Sequence, residues 1–293
     1  MRWLLLTILG LAPATLAAQE PKLPPAPADA QTSKDVSYGP HERNKLDITV
    51  PKSDKPLPLV IWVHGGGWEA GDKAFNPAVL LVKKGYAVAS VNYRYSKQAV
   101  FPAQLHDCKA AVRFLRDNAK KYNLDPDAVG VWGASAGGHL VALLGTTGDV
   151  PDLEGDAKTK TSSKVQAVCD WFGPTDLVKL SPMSAASNPI TKLLGGSTGD
   201  KADLAILANP ITHLTKNDAP FLTFHGDEDR LVPVSQSVLL HDALTKAGVE
   251  SELVLLKGAD HGGREFQAQV GNAENRKKLL AFFDKHLKHA ESK

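Results

Sequence analysis

Short apolar runs alternate with amphipathic segments along most of this chain. The segments LDITVP, LPLVIWV, YAVASVNY, VQAVCDWFG, APFLTFHG and ESELVLLKG are rich in β-branched and aromatic residues, which predicts strands. FPAQLHDCKAAVRFLRDNAKKY places Leu105, Cys108, Val112 and Leu115 at helical spacing, with Lys and Arg between them. Helices are also predicted for FNPAVLLVKKG, VSQSVLLHDALTKAG and NRKKLLAFFDKHLKH. The repeated order predicts an α/β fold, a mostly parallel sheet with helices on both faces.

The N-terminus predicts export. One positive residue, Arg2, precedes a short apolar run from Trp3 to Leu11 and then small residues, which is the layout of a signal peptide over residues 1–18. A buried first helix is the alternative. Because the run is too short to anchor in a bilayer, we expect a secreted or periplasmic protein with no membrane contact after cleavage. Residues 19–34 are rich in Pro and Ala and predict a linker, so the catalytic domain is expected over residues 35–293.

Composition excludes some partners. The chain has 293 residues, 43% of them hydrophobic, and a formal net charge of +2, which suits one large globular domain. Without a long run of positive charge there is no electrostatic basis for binding nucleic acid. No H-E-x-x-H or C-x-x-C motif occurs, so neither a metal nor another cofactor is expected. Oligomeric state does not follow from these features.

GVWGASAGGHL contains a candidate nucleophile. Gly133, Ser135 and Gly137 fit the pattern G-x-S-x-G between a predicted strand and a predicted helix. A serine on such a sharp turn has its Oγ exposed above the sheet, near a helix N-terminus. The alternative is a glycine-rich turn that only packs tightly. The strand before and the helix after favour catalysis.

A serine nucleophile needs a base and an acid that orients the base. In sheets of this kind both follow the serine in the chain, the acid first. FLTFHGDEDRLVP follows one strand and offers Asp227, Glu228 and Asp229, while LLKGADHGG follows the last strand and carries His261. His261 is favoured as the base because the other histidines after Ser135 lie on predicted helices or precede the acid. Those other histidines include His139, His225, His241, His286 and His289.

Three consecutive glycines, Gly65 to Gly67, follow the strand LPLVIWV. Attack on a carbonyl builds negative charge on oxygen, which backbone N–H groups can stabilise if they are held in place beforehand. Glycines can turn their N–H groups towards one point because no Cβ obstructs them. One donor is expected from Ala136, directly after the nucleophile, and others from the glycine run. The spacing of a phosphate-binding loop is absent.

The stretches HGGGW, GASAGG, HGDEDRLVP and ADHGG, in this order, resemble the α/β-hydrolase fold. Within it the chain is similar to esterases and lipases with an HGGG oxyanion motif, most of all to secreted bacterial acetyl-xylan and feruloyl esterases. The resemblance implies a triad of Ser135, Asp229 and His261. It also implies an oxyanion hole formed by Gly66, Gly67 and Ala136, and a structural role for His64. The segment 173–220 is moderate in length, so we expect no large cap domain.

The resemblance implies a serine carboxylic-ester hydrolase without a cofactor. Its expected substrates are acetyl, feruloyl or other aryl esters, either small molecules or linked to plant polysaccharide. An arylformamidase or peptidase would use the same machinery, since amides are cleaved by the same chemistry. A binding protein that kept the fold without its chemistry is the alternative of another class. Acyl length and the alcohol stay open.

Two further expectations concern single residues. Trp68, next to the glycine run, either lines the acyl pocket or packs in the core. Cys108 and Cys169 allow one intramolecular disulfide, which export permits and which we slightly favour. Two buried thiols are the alternative, because Cys108 lies on the apolar stripe of its helix and Cys169 lies inside a strand.

Overall fold

The computed structural model describes residues 25–148, 150–155, 160–180 and 188–288. In this part of the chain eight strands form one sheet. The strands are β1 (Gln31–Ser37), β2 (Lys45–Val50), β3 (Leu57–Val63), β4 (Ala87–Val91), β5 (Leu124–Ala134), β6 (Ala167–Trp171), β7 (Phe221–Gly226) and β8 (Ser251–Leu256). Their order across the sheet is β1-β2-β4-β3-β5-β6-β7-β8. The pairs β1–β2 and β2–β4 are antiparallel and all other neighbours are parallel.

Helices cover both faces of the sheet, as predicted. The α-helices of the described residues are α1 (Ala103–Asp117), α2 (Ala119–Tyr122), α3 (Ala136–Thr146), α4 (Leu177–Leu180), α5 (Pro189–Leu194), α6 (Ala202–Leu207), α7 (Ser235–Ala247), α8 (Arg264–Val270) and α9 (Ala273–Leu287). Helices α1, α3 and α7 contribute to one apolar cluster, while α8, α9 and a 3₁₀ helix over Pro77–Lys84 contribute to the other. Further 3₁₀ helices span Pro151–Leu153 and Pro210–His213.

Strand β3 shows why the central strands read as unbroken apolar runs. Val60 and Trp62 belong to one apolar cluster, whereas Leu59, Ile61 and Val63 belong to the other. Successive side chains of a strand point to opposite faces, and here both faces are covered. A parallel sheet with two buried faces places the carboxyl ends of β3, β5, β6, β7 and β8 along one edge.

The folded domain begins earlier than the sequence pattern indicates. Gln31, Thr32 and Ser33 pair with β2, so the predicted domain start at Asp35 is four residues too late. The side chains of β1 are mostly exposed on an edge strand, and its polar sequence QTSKDVS therefore carries no apolar signal. The predicted signal peptide (residues 1–18) and residues 19–24 of the predicted linker lie outside the described residues.

The disulfide expected between Cys108 and Cys169 is wrong. Both thiols are free and buried. Cys108 on α1 belongs to the apolar cluster on one face of the sheet, and Cys169 on β6 belongs to the cluster on the opposite face. The sheet itself separates the two sulfur atoms, so no bridge can form without breaking the fold.

The connection between β6 and β7 carries only short helices in its described part. Helices α4, α5 and α6 have four, six and six residues, which is too little for a large helical cap over the sheet edge. Residues 181–187 of this connection lie outside the described residues. Within the described part of the chain, no helix is long and apolar enough to cross a membrane.

Candidate active site

Ser135 occupies a strained turn between β5 and α3. Its backbone has φ 54° and ψ −120°, a region that non-glycine residues rarely adopt. The turn needs glycine on both sides, because a Cβ at Gly133 would lie 2.3 Å from Gly137 O, and a Cβ at Gly137 would lie 2.1 Å from Val63 O. The G-x-S-x-G pattern is therefore explained by close backbone packing around Ser135, which is half-buried and borders two cavities.

His261 and Asp229 complete a chain of hydrogen bonds to Ser135. His261 Nε2 lies 2.9 Å from Ser135 Oγ, and His261 Nδ1 lies 2.6 Å from Asp229 Oδ2. Because a carboxylate only accepts hydrogen bonds, Nδ1 carries the ring proton and Nε2 is free to accept from the serine hydroxyl. The structure thus brings together the three residues that the motifs indicated, from the ends of β5, β7 and β8.

The Asp229 carboxylate is fully buried and held from both sides. Its Oδ1 accepts hydrogen bonds from the N–H groups of Leu231 and Val232, each at 2.9 Å. Burial by itself would raise the pKa of this carboxyl, but hydrogen bonds from His225 and His261 outweigh it and hold the pKa well below its usual range. Asp229 is therefore ionised at neutral pH.

The neighbouring acids are directed elsewhere. Asp227 Oδ1 accepts a hydrogen bond from Gly258 N–H at 2.6 Å and so ties the loop after β7 to the turn after β8. Glu228 is exposed, and its N–H donates to Ala259 O. Of the three acidic candidates, only Asp229 contacts His261.

The glycine run curves beside Ser135. Gly66 and Gly67 have φ values of 102° and 59°, and Gly66 O accepts hydrogen bonds from the N–H groups of Glu69 and Ala70. Ala136 is the first residue of α3. Among the described residues, no protein acceptor takes the N–H of Gly66, Gly67 or Ala136. All three border cavities that also contain Ser135, so these N–H groups are available to a substrate oxygen.

His64 supports this loop. Its Nδ1–H donates to Gly65 O at 2.7 Å, its Nε2 lies 3.3 Å from Arg43 Nη2, and its ring stacks on Tyr93. Burial lowers the pKa of His64 to about 4, so the imidazole is neutral at pH 7. Because Arg43 donates to Nε2, the ring acts as a fixed bridge between Arg43 and the glycine loop.

Two cavities meet at Ser135. The larger, about 860 Å³, is lined by aromatic side chains and by His261, and the smaller, about 370 Å³, is lined mainly by apolar side chains. Trp68 is 3% exposed, and it both packs against His139 and lines the smaller cavity. Trp68 thus packs in the core, as one interpretation expected, and its role in an acyl pocket stays a prediction.

Two residues beside the triad carried no specific signal in the sequence. Phe172, directly after β6, has φ 42° and packs against the His261 ring with centroids 4.4 Å apart. His225, at the end of β7, has its Nε2 3.2 Å from Asp229 Oδ2. His225 was set aside because it precedes the acid in the chain. Its position four residues before Asp229 predicts no contact by itself, because β7 ends at Gly226 and a loop follows. In the described part of the chain, no group of three His, Cys, Asp or Glu side chains is arranged to hold a metal.

Comparison with known proteins gives one family and many relatives. The family model described as BD-FAE matches residues 46–244. Esterase LipQ of Mycobacterium tuberculosis is 33% identical over 228 residues, which cover 75% of this chain and 54% of LipQ. The chain thus spans about half the length of that relative.

Solved structures extend the likeness to most of the chain. A truncated form of a carbohydrate esterase from gut microbiota superimposes with a TM-score of 0.82 at 34% identity, covering 89% of this chain and 98% of that one. An acetyl ester-xyloside bifunctional hydrolase from Caldicellulosiruptor lactoaceticus superimposes with a TM-score of 0.72 at 26% identity, covering 86% of this chain and 96% of the other.

Proposed function

Because the chain belongs to the BD-FAE family, we propose that the protein is a carboxylic ester hydrolase that works through an acyl-serine intermediate. Family membership also confirms the expected resemblance to α/β-hydrolase esterases. The observation that carries the proposal is the hydrogen-bonded chain from Ser135 through His261 to Asp229, at 2.9 and 2.6 Å. A complete triad argues against a binding protein that has lost its chemistry.

The first half of the reaction acylates the enzyme. His261 Nε2 takes the proton from Ser135 Oγ as the oxygen attacks the ester carbonyl carbon. The carbonyl oxygen becomes negative and accepts hydrogen bonds from the N–H groups of Ala136, Gly66 and Gly67. His261 then gives the proton to the alcohol oxygen, the bond between carbonyl carbon and alcohol oxygen breaks, and the alcohol leaves.

The second half releases the acid. His261 Nε2 takes a proton from a water molecule, and the water oxygen attacks the acyl carbon. The same N–H groups stabilise the second oxyanion. The proton returns from His261 to Ser135 Oγ, the acyl–serine bond breaks, and the carboxylic acid departs. Asp229, ionised throughout, orients the ring and stabilises the imidazolium in both halves.

The two cavities suggest where each part of the substrate lies. His261 protonates the alcohol oxygen and lines only the larger cavity, so we assign the alcohol to that side. The acyl group stays on Ser135 and is assigned to the smaller apolar cavity beside Ala136 and Trp68. A small acyl group on a bulky alcohol fits this division.

The lining of the larger cavity supports a carbohydrate alcohol. Phe75 gives it partly exposed aromatic surface next to the almost fully buried Trp62 and Trp171, and Arg264 and Gln267 add hydrogen-bond donors to the lining. Aromatic rings that pack on sugar faces and donors that meet hydroxyl groups suit such an alcohol. The names of the carbohydrate esterase and of the acetyl ester-xyloside hydrolase agree with this class. We propose acetyl esters of plant polysaccharide as substrates, with feruloyl esters, whose acyl group is larger, as the second candidate. Export to the periplasm or the medium, proposed from residues 1–18, would bring the enzyme to them.

An ester series tests the reaction and the acyl size together. Turnover is measured on p-nitrophenyl acetate, butyrate and octanoate, and release of acetate and ferulate is measured on acetylated xylan and methyl ferulate. We expect hydrolysis of short esters and release of acetate, with Ser135→Ala as the inactive control. Cleavage of N-formyl aryl amines or peptides in preference to every ester would favour the arylformamidase or peptidase alternative instead. A wild type that cleaves none of these substrates would refute the proposed hydrolase.

A further inference from the structure

We propose that His225 is a positioning residue for this reaction, which holds the Asp229 carboxylate in the orientation that His261 requires. The inference rests on the proposed ester hydrolysis, because positioning has meaning only for a working triad. The motif pattern assigns His225 no role, and the inference comes from the contacts of its ring.

The ring of His225 is fully buried at the end of β7, and both of its nitrogens have defined partners. Nε2 lies 2.8 Å from Val232 O and 3.2 Å from Asp229 Oδ2, and Nδ1 lies 2.6 Å from Ser237 Oγ. A backbone carbonyl and a carboxylate only accept hydrogen bonds. The proton of neutral His225 therefore sits on Nε2, which donates towards both oxygens, and Nδ1 accepts from the Ser237 hydroxyl.

Asp229 Oδ2 consequently has an imidazole N–H on each side. His261 Nδ1–H donates to it at 2.6 Å from the catalytic side, and His225 Nε2–H approaches at 3.2 Å from the interior. A continuous polar chain runs from Ser237 through His225, Asp229 and His261 to Ser135. Ser237 is itself fully buried, so the inner half of this chain is closed to water.

The second donor matters because the Asp229 side chain is fully buried, so bulk solvent does not orient its carboxylate. Oδ1 is fixed by the N–H groups of Leu231 and Val232, but those bonds alone leave the direction of Oδ2 less defined. The bond from His225 to Val232 O holds the same loop segment, so one ring sets both the backbone and the free oxygen of the acid. A hydrogen bond to a charged group in a buried site is among the stronger ones.

Two substitutions separate positioning from simple filling of space. In His225→Gln the amide nitrogen can occupy the place of Nε2 and donate to Asp229 and Val232. In His225→Asn the shorter amide reaches only the place of Nδ1, so Asp229 loses its inner donor although the buried site stays polar. His241→Asn is the matched control, because His241 on α7 also pairs with a serine, Ser251, but does not contact the triad.

The experiment measures kcat and KM for p-nitrophenyl acetate and the thermal midpoint for each variant. We expect His225→Asn to lower kcat by about 10- to 100-fold, the effect of losing one hydrogen bond to a charged group, with KM changed by less than about twofold. His225→Gln should recover most of that loss, and His241→Asn should keep the wild-type kcat. Nitrogen-15 NMR of the wild-type imidazoles gives an independent reading that needs no variant, with Nε2 of His225 protonated and Nδ1 not.

The outcomes are distinct. Wild-type kcat in a folded His225→Asn variant, or equal losses in the Gln and Asn variants, would overturn the positioning role. A proton on Nδ1 in place of Nε2 would overturn it even if no variant folds. Failure of the proposed function would show differently, as a wild type that hydrolyses no ester.

Discussion

Asp229 Oδ2 lies 2.6 Å from His261 Nδ1, although the two residues follow different strands and are 32 positions apart. The parallel neighbours β7 and β8 end at the same edge of the sheet, and the loops that leave them meet there. Asp227, two residues before Asp229, points away from the base and binds the turn after β8. The same short loop therefore holds one carboxylate for the triad and one for its own fold.

The same substitution should lower turnover at Asp229 and stability at Asp227. Asp229→Asn removes the charge that stabilises the imidazolium of His261, so turnover should fall by about 10⁴-fold. Asp227→Asn should keep near-normal turnover and lose about 1 kcal/mol of stability with its bond to Gly258. Turnover and thermal midpoint of both variants are measured side by side. An active Asp229→Asn beside an inactive Asp227→Asn would reverse the assignment.

Ser135→Ala should leave the fold intact and abolish ester hydrolysis. Removal of a catalytic serine lowers turnover by about 10⁶-fold in other hydrolases. Alanine keeps the Cβ and the strained backbone of Ser135 and removes only the hydroxyl, so the thermal midpoint should change little. Turnover is compared with that of the wild type after confirming the fold by circular dichroism. A folded variant with near-normal turnover would contradict the acyl-serine mechanism.

Neighbouring glycines should differ in their tolerance of alanine. A Cβ at Gly66 would lie 2.3 Å from Ala70 O, so Gly66→Ala forces the backbone of the oxyanion loop to move. A Cβ at Gly67 would meet Pro189 Cβ at 3.3 Å, and the left-handed φ of 59° costs alanine only about 1–2 kcal/mol. We expect Gly66→Ala to lower kcat by more than about 100-fold and Gly67→Ala to retain the larger share of activity. Equal losses in kcat would show that the space around the loop does not decide its function.

Asp170 should make stability depend on pH. This carboxyl on β6 is 1% exposed, one of its oxygens accepts from Gly173 N–H, and burial raises its pKa from the ordinary 3.8 to about 6. The folded protein therefore keeps this proton where the unfolded chain has lost it, and stability falls as pH rises from about 4 through 6.

Asp170→Asn removes the free-energy cost of keeping a buried carboxyl at a pH where the unfolded chain would ionise it. Relative to the wild type, the variant should gain up to about 3 kcal/mol between pH 4 and pH 7, which is the free energy of about two pKa units. Urea unfolding of both proteins at pH 4, 5, 6 and 7 measures the difference. A difference that stays constant over this range would refute the raised pKa.

Cys108 and Cys169 should titrate as two free thiols in the denatured, unreduced protein. Both are buried, and burial raises the pKa of each thiol, so reaction of the native protein with a thiol reagent should be slow. Thiol counting before and after denaturation checks both statements. A count of zero free thiols after denaturation would show that the disulfide exists.

The motif around Ser135 could be recognised in the sequence because the packing constraints that require it act mainly within a few residues. The sharp turn at Ser135 leaves no room for a Cβ at Gly133 or Gly137, so the two glycines are visible in the sequence itself. The alternation of strands and helices, and the place of His261 after the last strand, are likewise set by burial periodicity and by chain order. These features were correctly predicted from the sequence.

Tertiary structure decided what depends on distant packing. The sequence slightly favours a disulfide between Cys108 and Cys169 over two free thiols, and only the sheet between them excludes the bridge. The edge strand β1 pairs with β2 alone and leaves most of its side chains in solvent, so its sequence needs no apolar periodicity. Only its pairing with β2 identifies it as a strand. His225 contacts Asp229 only because the loop after β7 folds back over its own strand, a geometry that spacing along the chain does not encode.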